Sequence, residues 1–445
     1  MKPLLFIETY GCQMNFADSE ILASILKDKY NTTDNYAEAD LILVNTCSIR
    51  DHAEQRVFNR LKEFTALKKR RLGMKVGLVG CMAERLKEEL LQSGLDIDLV
   101  VGPDAYRNLP HLLEEVESGQ KGIDVLLSTD ETYQDIEPVR LGSNHVSAFI
   151  SIMRGCQNFC AYCVVPYTRG KERSRDARTI VNEAGNLFRQ GYKEVTLLGQ
   201  NVNSYHAGGG NFAALMARVA SVDPSLRVRF STSHPKDLSD ELIETIASYP
   251  NICKAVHLPV QSGSSAMLAK MKRKYDRKWY LDRIAAIRAR IPDCGISTDI
   301  IAGFCGETEE DHRQTLSLMR EVGYDAAFMF KYSERPGTFA SKNYPDDIPE
   351  EVKLRRLNEI IQLQQELSLE SNRKDVGKNF EILVEGVSKK NDAQYFGRNS
   401  QNKVVVFDNP CLSDGKRQVA VGDYVTAKVE SCTPATLLGR LADKA

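Results

Sequence analysis

Between residues 148 and 332 six short apolar runs alternate with amphipathic helical patterns: AFISIM (148–153), EVTLLG (194–199), RVRFST (227–232), KAVHLP (254–259), ISTDIIAG (296–303) and DAAFMFKY (325–332). Right-handed crossovers lay such strands side by side and parallel. Six βα units, two short of a closed eightfold barrel, predict an open, partial (β/α)6 barrel of the TIM type. The same alternation fills the first 132 residues. LLFIETYGC, ADLILVNTC and KVGLVGC each precede a helical pattern, and DLVVG (98–102) and DVLL (124–127) add two more strands. That predicts a doubly wound, mostly parallel α/β sheet. The polar, aperiodic stretch 133–146 reads as a linker. A long amphipathic helix, PEEVKLRRLNEIIQLQQELSLESNRKDVG, leaves the barrel, and after Gly377 the period changes to two with turn signals. This last part predicts a small antiparallel, OB-like β-barrel. The expected units are therefore 1–132, a linker 133–146, 147–374 and 375–445.

Of the 445 residues 11 are cysteines, an odd number at wide intervals, which argues against a disulfide framework. MKPLLFIETYG runs straight into a strand pattern, so no signal peptide is expected. Apolar runs such as LILV and KVVVF fall far short of the ~18 residues of a membrane span. The expectation is a soluble, cytoplasmic chain with reduced thiols and no membrane partner. A formal net charge of −1 means that any nucleic acid would be held by local basic patches.

Cys156, Cys160 and Cys163 stand at C-x3-C-x2-C just past the first barrel strand, at the rim where such folds build their sites. A zinc site completed by His145 or His206, or three unrelated thiols, would give the same spacing. The favoured reading is a 4Fe-4S cluster with one iron lacking a protein ligand. That open iron, with the aromatic Tyr162 beside it, fits enzymes that chelate S-adenosylmethionine (SAM). Polar and glycine-rich segments at successive strand ends supply candidate SAM contacts: Gln200, Asn201, Ser231, Gln261 and Asp299, with Tyr162. Cys12, Cys47 and Cys81 each end a strand of the first sheet, so their thiols meet on one edge. They are either buried packing residues or the ligands of a second open cluster, and their polar neighbours Gln13, Asn15, Asn45 and Thr46 favour the second. Cys253, Cys294, Cys305, Cys411 and Cys432 share no such logic and read as packing residues. His234 and His257, at strand ends, serve either a ligand or the core.

YGCQMNFADSE, NTCSIRDHAEQR, RGCQNFCAYCVVPYTRGKERSR, HLPVQSGS, GFCGETEED and YSERPGT closely resemble the methylthiotransferase family of radical SAM enzymes, across essentially the whole chain. The C-terminal part resembles that family's TRAM domain. The resemblance implies two 4Fe-4S clusters. One, on Cys12, Cys47 and Cys81, handles the sulfur; the other, on Cys156, Cys160 and Cys163, cleaves SAM to a 5′-deoxyadenosyl radical. One SAM is then a methyl donor and a second the radical source. The motifs GCQMN and NTCSIR resemble the members that insert a methylthio group at C2 of N6-isopentenyladenosine beside the anticodon, giving 2-methylthio-N6-isopentenyladenosine. Sister enzymes act on threonylcarbamoyl-adenosine tRNA or a ribosomal-protein aspartate, and a non-catalytic iron–sulfur RNA-binding protein is the rival of another class. The implied partners are a tRNA anticodon stem-loop, a flavodoxin- or ferredoxin-type electron donor and a sulfur source, with the chain a monomer. Lys389, Lys390, Arg398, Lys416, Arg417 and Arg440 are candidate phosphate contacts, Tyr395 and Phe396 candidate stacking faces, and Asn15 and Asn45 candidate substrate contacts.

Overall fold

Strand β3 (Leu41–Thr46) is buried at every position, as a central strand covered on both faces must be. The computed structural model that shows this describes residues 2–47, 51–87, 89–92, 94–142, 144–408 and 419–442. Cys411, Lys416 and Arg417 lie outside them. With β1 (Leu4–Thr9), β2 (Asn31–Thr32), β4 (Lys75–Gly80), β5 (Leu99–Val101) and β6 (Gly122–Asp124), β3 forms a six-stranded sheet in the order β2-β1-β3-β4-β5-β6. Every pairing is parallel. Alternate residues feed two cores: Leu41 and Leu43 pack under the helix Gln13–Leu26 on one face, Ile42 and Val44 under Asp51–Lys68 on the other. The chain steps from β1 outward to β2 and from β3 the opposite way to β4, so the switch point lies between β1 and β3, where ligands of open α/β sheets bind. Two details differ from expectation. The last strand is Gly122–Asp124 and not 124–127, because Asp124 turns its carboxylate to Asn108 and Leu126 and ends the ladder. The edge strand β2 is only two residues long and carries no apolar signal.

The segment expected as a linker is a packed strap. Tyr133 is buried, its hydroxyl donating to Pro103 O at 3.0 Å, and Arg140 joins Glu20 of the sheet domain to Glu183 of the barrel at 2.8 and 2.7 Å. One aromatic and one arginine in a polar stretch suffice to bind it into the seam.

The barrel is open. β7 (Ser147–Ser151), β10 (Glu194–Leu198) and β13 (Arg227–Ser231) form one parallel sheet, and β14 (Ala255–His257), β15 (Gly295–Ala302) and β16 (Ala326–Lys331) another. A single parallel bridge, Val228 to Ile252, helps to connect them. Two small antiparallel pairs decorate the rim: β8 (Met153–Arg154) with β9 (Arg173–Ser174), and β11 (His206–Ala207) with β12 (Gly210–Asn211). The helix Glu350–Arg373 packs along β16.

The C-terminal barrel closes through β17 (Asn379–Ser388), β18 (Asn391–Arg398), β19 (Val404–Asp408), β21 (Leu437–Leu441) and β20 (Tyr424–Cys432). It is not wholly antiparallel: β19 and β21 run parallel. Arg227 donates to Arg398 O at 2.8 Å, Arg229 to Asn399 O at 2.8 Å, and Tyr424 to Lys193 O at 3.0 Å. Those barrel residues lie at or near the strand starts, so this domain sits at the end of the barrel opposite the cysteine rim.

Candidate metal centres at a domain seam

Cys12, Cys47 and Cys81 follow β1, β3 and β4, and so gather at the carboxyl edge beside the switch point. Cys12 caps the helix Gln13–Leu26 and Cys81 opens the helix Cys81–Leu86; helix N-termini favour a thiolate. Cys12 is exposed while Cys47 and Cys81 are buried. A hydrogen bond with Cys47, and the Arg169 charge, bring the Cys12 thiol down to about 6; burial pushes Cys81 up. The approach of Cys12 to Cys47 depends on Gly11, whose φ is +135° and where a Cβ would stand 2.5 Å from Cys47 Cβ and 2.7 Å from Asn15 Oδ1.

Asn15 and Asn45, expected as substrate contacts, are fully buried. Asn15 Nδ2 donates to Asn45 Oδ1 at 3.2 Å and to Thr46 O at 3.1 Å, while Asn45 Nδ2 donates to Asn15 O at 2.7 Å and Ser19 Oγ at 2.9 Å. Both amides spend their hydrogen-bonding capacity in tying the Cys12 and Cys47 loops together.

The second trio lies across the seam. Burial pushes Cys156 up to about 11, and burial with the neighbouring Cys160 raises Cys163 further. Gly155, with φ +79°, lets this loop cross the chain at Lys171; a Cβ would fall 1.9 Å from Lys171 O. The buried Arg273 donates to Cys160 Sγ and Tyr162 Oη, each at 3.3 Å, and to Pro259 O at 2.8 Å. Arg169, which follows the short helix Val165–Thr168, reaches back into the first domain and donates to Cys81 Sγ at 3.1 Å and Asp18 Oδ2 at 2.8 Å. Arg335, in the loop after β16, feels the charge of Cys47. Among the described residues no three His, Cys, Asp or Glu converge on a single ion position. Zinc would need sulfurs each about 2.3 Å from one ion, whereas a cubane spreads its thiolates over separate iron corners.

Three family models match in series: "Uncharacterized protein family UPF0004" over residues 4–102, "Radical SAM superfamily" over 150–319 and "TRAM domain" over 373–442. A curated protein of Phocaeicola vulgatus named tRNA-2-methylthio-N(6)-dimethylallyladenosine synthase is 59% identical over 98% of this chain and 95% of its own. A Bacteroides fragilis protein of the same name is 58% identical over the same shares. This chain belongs to the tRNA-2-methylthio-N(6)-dimethylallyladenosine synthase family. The fold is also that of the radical SAM methyltransferase TsrM from Kitasatospora setae, at 15% identity, a TM-score of 0.58 and coverage of 74% of this chain and 73% of that one. It is a radical SAM enzyme whose family cofactors are SAM and 4Fe-4S clusters.

The residues at both places fit such cofactors. The buried Arg169 keeps Nη1 without a hydrogen-bond partner among the described residues, beside the thiols of Cys81 and Cys12. At the rim, Gln200 Oε1, Asn201 Oδ1, Ser233 Oγ and His234 Nε2 are likewise buried and unpartnered there, which folded chains tolerate where a ligand completes the bonding. Asn201 Nδ2 is held by Asp237 at 2.7 Å, leaving Oδ1 over; Ser231 Oγ lies 3.4 Å from Thr232 Oγ1. Gln261, at φ +74°, is fixed through its backbone to Asp299 O and Ile301 N. Asp299 Oδ1 is 3.4 Å from His257 Nε2. His234 Nδ1 accepts from Lys236 N at 3.3 Å, so its proton sits on Nε2; burial and the Arg273 charge lower its pKa to about 2. Tyr162 is half-buried with its hydroxyl at Arg273, close to the Cys160 and Cys163 thiols that flank it.

In the family's TRAM domain Lys389 and Lys390 are exposed at the β17–β18 turn. Arg398 is ion-paired with the largely buried Glu385, and Arg440 pairs with Glu430 at 2.7 Å. Tyr395 packs on Phe407 with ring centroids 6.4 Å apart, and Phe396 covers Gly386, so both are half-buried. Sequence reasoning missed Asp18, Arg154, Arg169 and Arg273. All four look like surface charges in a chain that is 27% charged; the one available signal is that three of them lie within or flank cysteine motifs.

Proposed function

We propose that this enzyme inserts a methylthio group at C2 of N6-isopentenyladenosine 37 of tRNA, with Cys12, Cys47 and Cys81 holding one 4Fe-4S cluster and Cys156, Cys160 and Cys163 the other. The observation that carries the reading is the contact of Arg169 with Cys81, because it brings the segment that follows Cys163 onto the sulfur-handling edge of the first domain. When bound, the clusters and SAM supply the methylated sulfur and the carbon radical that an unactivated aromatic C–H requires. The chain supplies position and dryness. Gln200, Asn201, Ser231, Gln261 and Asp299, with Tyr162, line the rim where SAM would lie. Arg154, Arg169 and Arg173 close the seam against water, which strengthens every electrostatic contact inside it. The target adenine enters between the two trios, extruded from a single-stranded loop at small cost.

The TRAM domain holds the RNA at a distance. It packs on the far end of the barrel, about 20 Å away for strands of this length, so Lys389 and Lys390 meet backbone phosphates remote from the reacting base. An external flavodoxin- or ferredoxin-type donor reduces the enzyme, a sulfur source replenishes it, and it works as a cytoplasmic monomer. No helix among the described residues is long and apolar enough to cross a membrane.

The test is anaerobic. Reconstituted protein, SAM, a strong reductant and isopentenylated, unthiolated tRNA should give 5′-deoxyadenosine and the 2-methylthio nucleoside by mass spectrometry of digested RNA. 5′-Deoxyadenosine without the modified nucleoside refutes the substrate; neither product with both clusters loaded refutes the reaction.

A further inference from the structure

Arg169 is the one described side chain that is carried by the barrel's cysteine segment and donates to a thiol of the other domain. Its environment is built. Asp18 Oδ2 holds Nη2 at 2.8 Å while the other oxygen of Asp18 takes Arg154 at 2.8 Å, so the guanidinium cannot swing away from Cys81. Nε meets Cys81 Sγ at 3.1 Å, Nη1 has no partner among the described residues, and the side chain is only 4% exposed. A buried cation with donors turned to thiolates is more effective than one in water, since little solvent screens it. Hydrogen bonds to cluster sulfurs, and nearby positive charge, stabilise the reduced and more negative form of an iron–sulfur centre.

We propose that Arg169 is a positioning residue that sets the reduction potential of the centre on Cys12, Cys47 and Cys81. The inference rests on the two-cluster reading above.

The test uses the full chain with Cys156, Cys160 and Cys163 all changed to alanine, so that only one centre can load. Iron content, and the midpoint potential from an EPR-monitored redox titration, are compared with Arg169 intact, in Arg169→Gln, in Arg169→Lys, and in Arg154→Lys. The last disturbs the same ion-pair network without touching a sulfur. Arg169→Gln should load iron fully and lose about tenfold or more in the one-electron reduction equilibrium, a fall of about 59 mV. Arg169→Lys, which keeps charge but not the fixed Nε–H bond, should fall by less, and Arg154→Lys should match the protein with both arginines intact. An unchanged potential in Arg169→Gln overturns the proposal, as does an equal fall in Arg154→Lys. Should Arg169→Gln fail to hold iron, Arg169→Lys decides: a lowered midpoint supports the proposal and an unchanged one overturns it. If the protein with Arg169 intact loads no redox-active centre, the two-cluster reading falls first and this inference with it.

Discussion

Arg154 Nη1 lies 2.8 Å from Asp18 Oδ1, and neither side chain is more than 1% exposed. One comes from the barrel's β8 and the other from the first helix of the sheet domain, so the pair is a buried ionic joint between domains. Asp104 extends it, taking Arg173 Nη2 at 2.8 and 2.9 Å on its two oxygens. Removing one partner leaves a desolvated charge uncompensated, which costs about 3–5 kcal/mol. Asp18→Ala should therefore loosen the seam, seen as rapid proteolysis of the strap 133–146. Product formation should fall far more than SAM cleavage, since cleavage needs only the barrel.

The two trios should separate by readout. Cys160→Ala should abolish 5′-deoxyadenosine formation as well as methylthiolation. Cys47→Ala should end methylthiolation while a substantial part of SAM cleavage survives. Quantifying 5′-deoxyadenosine and modified nucleoside in parallel checks both, and retained methylthiolation in Cys47→Ala would remove the first domain's thiols from the chemistry.

Asn45→Ala distinguishes a clamp from an RNA contact. It strips partners from Asn15 Nδ2 and Ser19 Oγ, groups with no access to water, at about 1–3 kcal/mol. Iron bound at the Cys12, Cys47 and Cys81 trio should drop, with the dissociation constant for unmodified tRNA unchanged. A weakened tRNA complex with full iron content would restore the RNA-contact role.

His234 should resist protonation. Its folded pKa of about 2 lies below the ordinary imidazole value of 6.5 because burial and Arg273 oppose the charge. The unfolded chain therefore binds a proton that the folded chain refuses, and stability is lost as pH falls below 6.5. The slope is about 1.4 kcal/mol per pH unit for one such group. His234→Asn keeps an acceptor for Lys236 N and removes the titration, so its urea midpoint should decline less than that of the unsubstituted chain between pH 7 and pH 5. In the unsubstituted protein the His234 Cε1 NMR resonance should keep its neutral position over that interval.

Periodicity shows most of the fold and little of the electrostatics. LILV and EVTLLG are strands on any reading because parallel strands bury both faces, and the rule that parallel strand ends share an edge is enough to unite cysteines more than thirty residues apart. The burial of Asn15 and Asn45 is not legible for an identifiable reason: a polar residue next to a cysteine looks the same whether it faces solvent or another amide, and here the partner stands 30 residues away. Asp18 and Arg154 are 136 residues apart, and no local pattern distinguishes them from solvated charges. The strap was misjudged in the same way, since the partners of Tyr133 and Arg140 are distant in the chain.

The far placement of the TRAM domain makes a quantitative claim about RNA binding. Lys389 and Lys390 are exposed at a turn, whereas the Arg398 side chain is ion-paired with Glu385 and its backbone carbonyl accepts from Arg227. Each phosphate contact contributes about 0.7–0.9 to the slope of log affinity against log salt. The double change Lys389→Ala with Lys390→Ala should weaken tRNA binding at moderate salt and lower that slope by about 1.4–1.8. The single-turnover rate at saturating tRNA should stay the same, because nothing near the reacting base has moved. Arg398→Ala should behave in the opposite way: the salt slope holds, while the loss of a partner for the largely buried Glu385 lowers the thermal stability of the C-terminal barrel. A slope that falls with Arg398 and holds without the two lysines would mean that the RNA instead runs across the interface between the two barrels.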